Sequence, residues 1–387
     1  MRILSIETSC DETAISVVEA TGTFPTATYV VLGNSLFSQV DIRREYGGVF
    51  PAVAKREHAK TLTPMLERAL TEAKLLQKET TALSEETRSE LSTILYREPG
   101  LGEALTTFLE QHTIPTIDLI AVTRGPGLEP ALWVGLNFAK ALAYAWNIPL
   151  VPTNHMEGHV LSSIFTETGL PAIQFPALAL LISGGHTELV LMRDWALYEK
   201  IGETRDDAVG EAFDKVARML GLPYPGGPEI GRRAQSAREK NLPRLITLPR
   251  PMIDSGNYEF SFSGLKTAVR YAIEGKDLSQ DDVASVAREF EDSVTEVLLT
   301  KTRNAIDTYG VNTIIVGGGV SANTHIRKTF TEYFHNECPH VAVFFPPRHL
   351  STDNSVMIAL AGHARMQDAR RYDALADLKA DGNLSLA

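Results

Sequence analysis

Apolar residues fall in short runs that end in polar or glycine-rich turns, the pattern of buried strands feeding loops. Ile3 to Ile6 is one such run. It gives way to the polar turn Glu7-Thr-Ser-Cys-Asp-Glu-Thr13, and Ala14 to Val18 returns as a second strand. The same plan recurs far downstream, where Leu178 to Ile182 leads into Ser183-Gly-Gly-His186 and Thr187 to Met192 returns. Thr13 and Thr187 hold the same place in the two copies, close to half a chain apart. A repeat at half-length implies two related lobes, not a solenoid.

Three further units share a strand-to-turn-to-helix grammar. Asp118 to Val122 runs into Gly125-Pro-Gly127 and an apolar helix from about Ala131 to Ala145. Thr313 to Val316 runs into Gly317-Gly-Gly319 and a helix from about Asn323. Leu150-Val151 leads into Asn154 and a helix carrying His155 and His159. Strands alternating with helices predict α/β lobes whose ligands sit at strand C-termini. The polar stretch from Lys74 to Thr116 reads as a solvated surface insertion with some helix, and the segment from Ser351 as a helix followed by a fraying tail. The expected division is an N-terminal lobe over 1–152, with an insertion at about 74–116, completed by a C-terminal helix over 352–387; the C-terminal lobe spans 153–351.

Composition narrows the class. At 387 residues and 44% hydrophobic, the chain suits two lobes or one large α/β unit. A net charge of -11 argues against a generic DNA coater. Two cysteines, Cys10 and Cys338, make no disulfide scaffold and point to a reduced, cytoplasmic setting. No uncharged apolar run approaches the ~20 residues of a membrane span, and Arg2 opens directly into a strand with no leader pattern.

The sharpest chemical signal is Asn154-His-Met-Glu-Gly-His159. On a helix, His155 and His159 stand at i and i+4 and point the same way, as two imidazole ligands of one metal would; two surface histidines would share the spacing. A third ligand must come from elsewhere. Asp353, in Ser351-Thr-Asp-Asn354, follows an apolar strand and is the candidate, with a helix N-cap as its other reading. A zinc peptidase requires its glutamate directly after the first histidine. Here Glu157 is two residues on, about 200° round the helix, so its carboxylate faces away from the metal side.

Ser183-Gly-Gly185 and Gly317-Gly-Gly319 place backbone N–H groups at strand ends, where phosphate can be cradled, and Tyr224-Pro-Gly-Gly-Pro228 adds a third glycine turn. The chain has neither the P-loop signature nor the Rossmann fingerprint. Asp214 lies beside the apolar stripe of an amphipathic helix over Gly210 to Leu220, either as a solvated acid or reaching a ribose or other polar ligand group. Charge is uneven. Arg232, Arg233, Arg238, Lys240, Arg244 and Arg250 face only Glu229 and Glu239 within 228–250, and Arg43, Arg44, Lys55 and Arg56 form smaller clusters. Such an island is either a solvated face or a landing place for an anionic polymer.

Nine motifs in order carry a resemblance: Ser5-Ile-Glu-Thr-Ser-Cys-Asp-Glu-Thr13, Tyr46-Gly-Gly-Val49, Arg124-Gly-Pro-Gly127, His155-Met-Glu-Gly-His159, Ser183-Gly-Gly-His-Thr187, Gly210-Glu-Ala-Phe-Asp-Lys215, Pro225-Gly-Gly-Pro228, Phe262-Ser-Gly-Leu-Lys266 and Gly317-Gly-Gly-Val-Ser-Ala-Asn323. Together they resemble the TsaD/Gcp family, the tRNA N6-adenosine threonylcarbamoyltransferases once labelled O-sialoglycoprotein endopeptidases. The resemblance implies the actin/Hsp70/sugar-kinase (ASKHA) fold, two duplicated α/β lobes around a nucleotide cleft. It also implies transfer of a threonylcarbamoyl group from threonylcarbamoyl-AMP to N6 of the adenosine 3′ to the anticodon of tRNAs reading ANN codons, with release of AMP. By the same resemblance His155, His159 and Asp353 hold one divalent ion, Fe2+ ahead of Zn2+. Leu181, Ile182, Ser183, Gly184, Gly185, Asp214, Gly227 and Asn323 contact the adenylate. Asp11 sits near the transferred group, as a base or merely as a cap of its turn. TsaB and TsaE are the implied partners, with a TsaC-type synthase supplying the adenylate. Asn154 departs from the His-His common in bacterial members, and the insertion of some forty residues is atypical. The competing expectations are an actin-like ATPase or sugar kinase, which has no need of a His-x-x-x-His pair, and a scaffold that binds nucleotide without catalysis.

Overall fold

The computed structural model describes residues 1–40, 50–166 and 168–386; Arg43, Arg44 and the Tyr46-Gly-Gly-Val49 motif lie outside the described residues. The chain forms two units, Met1–Pro171 with Asp353–Leu386, and Ala172–Thr352.

The first unit is built on a sheet of β1 (Arg2–Glu7), β2 (Glu12–Thr21), β3 (Thr28–Ser38), β4 (Leu119–Gly125) and β5 (Leu150–Asn154), in the order β3-β2-β1-β4-β5. β2 runs antiparallel to β1 and β3, whereas β1, β4 and β5 are parallel. Central β1 is covered on both faces, so Ile3, Leu4 and Ile6 are all buried, whereas β3 alternates buried and exposed positions as an edge strand does. Around the sheet lie α1 (Pro51–Glu72), α2 (Glu85–Ile94), α3 (Pro99–Gln111), α4 (Glu129–Trp146) and α5 (His155–Ile164).

The second unit repeats the plan with β6 (Ala177–Ile182), β7 (Thr187–Asp194), β8 (Leu197–Glu203), β9 (Thr313–Gly317) and β10 (Ala342–Phe344), in the order β10-β9-β6-β7-β8. Here too the first three strands are antiparallel and the last two join in parallel. The duplication read from two turns therefore extends to the full topology. Its helices are α6 (Val209–Met219), α7 (Gly226–Glu239), α8 (Ser263–Ile273), α9 (Gln280–Tyr309) and α10 (Thr324–Glu337). The chain then returns to the first unit in α11 (Ser355–Ala364). No helix among the described residues is long and apolar enough to cross a membrane.

Three expectations are corrected. The division falls after Pro171, not at 152, because α5 follows β5 without a break and packs on α11 within the first unit. The insertion is not simply solvated. Leu91, Leu95, Leu101, Leu105, Phe108 and Leu109 recur at helical spacing and join the first unit's core, and buried Glu98 reaches Lys55 at 2.9 Å. The C-terminal segment is a short helix followed by a bound tail. Leu375 and Leu378 are buried, Asp381 N–H donates to Arg124 O (3.0 Å), and Gly382 O accepts from Gly127 N–H (3.1 Å). Gly125 permits that approach, since a Cβ there would lie 1.9 Å from Asp381 O.

Candidate functional site

In the first unit, β5 ends at Asn154, whose side-chain oxygen accepts from Met156 N–H (2.8 Å) and Glu157 N–H (3.4 Å) and so caps α5. The Asn154 amide in turn donates to Ser385 O of the tail (3.0 Å). One helical turn then brings His155 and His159 together, their ring centroids 4.6 Å apart and both side chains buried. Asp353 meets them across the chain. Its Oδ1 is 3.1 Å from His159 Nε2 and 3.4 Å from His155 Nε2. The N-cap of α11 is Asn354, which accepts from Met357 N–H (3.0 Å), so the capping role read for Asp353 passes to its neighbour. One ligand atom from each of His155, His159 and Asp353 lies within 4.8 Å of the others. Two imidazoles and a carboxylate at that spacing fit a divalent transition ion with open coordination positions.

Behind the ligands stands Glu7, an acid at the end of buried β1. Its Oε2 lies 3.1 Å from His155 Nδ1 and accepts from Thr123 Oγ1 (2.5 Å), while Oε1 accepts from Ser9 N–H (2.5 Å). A carboxylate on Nδ1 fixes the tautomer that turns the Nε2 lone pair toward the cluster. Burial disfavours charge on His155, yet Asp353 and Glu7 hold its pKa well above the usual imidazole value. Burial lowers that of His159. Burial also opposes charge on Asp353, but His155 and His159 outweigh it and hold the carboxyl far below its usual range. Glu157 faces the other way: both its oxygens meet Arg365 Nε, at 3.0 and 3.1 Å. The peptidase arrangement is absent, as the helical angle required.

Asp11 is half-buried in the bend between β1 and β2, where its carbonyl accepts from Gln39 N–H (3.0 Å). Its carboxyl hydrogen-bonds that of Glu12, which burial, and then Asp11, push well above the usual carboxylate range. Glu7, Ser9, Glu12 and His58 escaped the sequence reading. Only Glu7 left a signal, an acid directly after the apolar positions Ile3, Leu4 and Ile6.

In the second unit Leu181 and Ile182 point their side chains into the core, so any ligand contact they make is through backbone. Ser183 Oγ accepts from His186 N–H (3.0 Å) and Gly185 N–H (3.3 Å), closing the turn, and Gly184 and Gly185 face open space. A Cβ on Gly210 would fall 2.6 Å from Ser183 O, so the start of α6 rests on this turn. Gly318, at φ +86°, passes the end of β6, where a Cβ would lie 2.5 Å from Ile182 O. The two glycine turns thus form adjoining walls at the ends of β6 and β9. Asp214 accepts from Gly226 N–H (2.7 Å), which fixes the first turn of α7 and with it Gly227, itself open to space. Asn323 caps α10 through Ile326 N–H (3.0 Å) and donates to Glu291 Oε1 (2.7 Å).

Most of the basic island is paired within the second unit. Acids of α9 neutralise it: Arg238 pairs with Glu291 (2.5 Å) and Asp292, Arg244 and Arg250 with Glu289 (2.9 and 2.7 Å), and Lys240 with Asp281 (2.7 Å). Arg232 pairs with Glu229, and Arg250 also with Glu296 (2.7 Å). The run fastens α7 and the following loop to α9.

The family model described as TsaD, tRNA N6-adenosine threonylcarbamoyltransferase, matches residues 30–84 and 101–360. Its gap, 85–100, contains α2, so the atypical part is shorter than the polar stretch suggested. Proteins named tRNA N6-adenosine threonylcarbamoyltransferase are similar over almost the whole chain. That of Bacillus licheniformis is 41% identical over 96% of this chain and 94% of its own. That of Kosmotoga olearia is 39% identical over 94% and 93%, and that of Geobacillus kaustophilus 40% over 99% and 96%. A solved HypF from T. kodakarensis aligns at TM-score 0.48 and 14% identity over 70% of this chain and 43% of that one. A ROK hexokinase from Thermus thermophilus aligns at 0.42 and 12% over 95% and 99%.

Proposed function

The chain belongs to the tRNA N6-adenosine threonylcarbamoyltransferase family, and from that premise we propose how its residues divide the work of the t6A modification. The donor is threonylcarbamoyl-AMP and the acceptor N6 of the adenosine 3′ to the anticodon of tRNAs reading ANN codons. N6 attacks the carbamoyl carbon, the bond from that carbon to the phosphate oxygen breaks, AMP departs, and the N6 proton passes to a base. Adenine N6 is a poor nucleophile because its lone pair is delocalised into the ring, so positioning and charge stabilisation must lower the barrier.

The observation that carries this division is the convergence of His155, His159 and Asp353, with Glu7 behind His155. These residues would hold one divalent ion, Fe2+ ahead of Zn2+. When bound, such an ion supplies a Lewis acid for the donor's acyl or phosphate oxygen. The amides of Ser183 to Gly185, the open edge at Gly227, and Asp214 and Asn323 bind the adenylate, with Leu181 and Ile182 contributing backbone. Asp11 takes the N6 proton. TsaB and TsaE assist in the cytoplasm.

The deciding experiment incubates the protein and these partners with threonylcarbamoyl-AMP and unmodified tRNA and assays the modified nucleoside. Product that depends on this chain supports the reading. No product with all components present overturns it.

A further inference from the structure

The turn bearing Asp11 is held from α1, an element that carries none of the metal ligands. His58, on α1, is completely buried. Its Nε2 lies 3.1 Å from Cys10 O, and its Nδ1 lies 2.7 Å from Thr13 Oγ1. Thr61, one turn further along α1, places its hydroxyl 2.9 Å from that of Thr13. A carbonyl can only accept, so Nε2 carries a proton and donates to Cys10 O. In the neutral ring Nδ1 then accepts from Thr13, while the single Thr61 hydroxyl proton is shared between Glu57 O (2.8 Å) and the Thr13 oxygen.

One imidazole thus grips the backbone just before Asp11 and the side chain just after Glu12. We propose that His58 is a positioning residue, one that clamps the Cys10–Thr13 turn and so sets the placement of Asp11 in the transfer step. This inference rests on the reading of Asp11 given above.

The turn needs such a clamp. It carries two adjacent carboxyls, Asp11 and Glu12, joined by a hydrogen bond, so a shift of the turn moves both together. The other fastenings act at different points. Ser9 O accepts from Leu128 N–H (2.7 Å), and Ser9 Oγ lies 3.2 Å from His155 Nδ1. A Cβ on Gly127 would lie 2.6 Å from Ser9 O, so α4 approaches at Ser9. Those contacts secure the metal side of the turn. Beyond Ser9, Gln39 N–H to Asp11 O secures the Asp11 backbone, and His58 spans the segment from Cys10 to Thr13. An imidazole fits because it offers a donor and an acceptor on opposite edges of a rigid ring. Misplacement of a reacting group by about 1 Å is enough to cost about 100-fold in rate.

The test compares wild type with His58→Ala, His58→Gln and Thr13→Val in the full chain with its partners. It measures kcat, KM for threonylcarbamoyl-AMP, metal content and thermal midpoint. His58→Ala is expected to lower kcat about 100-fold, leaving KM and metal content within about twofold of wild type. Glutamine, which also presents one donor and one acceptor, should recover part of the loss, and Thr13→Val should fall between. If His58→Ala does not fold, His58→Gln and Thr13→Val decide: wild-type kcat in both overturns the clamp. A kcat loss that tracks only the lost folded fraction, or a uniform rise in KM, also overturns it. An inactive wild type would instead overturn the activity reading, so the two failures are distinguishable.

Discussion

Oε2 of Glu7 lies 3.1 Å from Nδ1 of His155, which makes an acid at the end of a buried strand the partner of a candidate metal ligand. Partners of this kind orient the ring and raise its basicity, and their loss typically weakens metal binding 10–100-fold. Glu7→Gln keeps the shape and removes the charge. Its metal dissociation constant should rise about 10-fold or more, with the far-UV spectrum unchanged. An unchanged constant would reduce Glu7 to a folding role.

The ligands and the neighbouring glutamate should separate cleanly. His155→Ala with His159→Ala, or Asp353→Ala alone, should abolish stoichiometric metal by elemental analysis. Glu157→Gln should retain it, because Glu157 is spent on Arg365. A Glu157 variant that loses the ion while folded would reopen the peptidase geometry.

Arg238 lies in the basic run, but its guanidinium is engaged by Glu291 and Asp292. Removing it strips a buried carboxylate, Glu291, of its guanidinium and loosens the acid that holds Asn323. Arg238→Ala should cost about 3 kcal/mol in urea unfolding. Arg232→Ala, at an exposed i,i+3 pair, should stay within about 0.5 kcal/mol. A large drop in tRNA affinity from folded Arg238→Ala with unaltered stability would restore the island.

Asp206 gives a pH dependence with a definite sign. It accepts from Phe262 N–H (2.8 Å), Ser263 N–H (3.1 Å) and the hydroxyls of Ser261 (2.5 Å) and Ser263 (2.7 Å), capping α8 from a distant loop. Burial raises its carboxyl pKa, but these donors prevail and the net shift is downward. A depressed folded pKa contributes stability above the ordinary aspartate value of 3.8, and the contribution is lost as pH falls through the folded value. Asp206→Asn should therefore cost about 1 kcal/mol near neutrality. The gap from wild type should close in acid, as read by urea midpoints. A gap that stays constant down to about pH 2 would refute the linkage.

Much of this was legible in order along the chain. Strand-turn-strand units, glycine turns and the His-x-x-x-His pair are local patterns, and each lies where its local chemistry required. The missed features are those whose partners lie far off in sequence. Arg238 and Arg250 are neutralised by acids of α9 some forty to fifty residues downstream, so a run that looks bare in sequence is paired in space. The leucines of α2 and α3 were hidden among glutamates and threonines, although Leu91/Leu95 and Leu101/Leu105 keep helical spacing. Glu7 and His58 matter through the single atoms they face, which no periodicity records.

The bound tail is coupled to the histidine helix through one hydrogen bond. Because Ser385 O is tied to the residue that caps α5, distortion of that helix should release the last residues to solvent. Amide hydrogen exchange in residues 383–385 would then read the state of the histidine helix without the reaction.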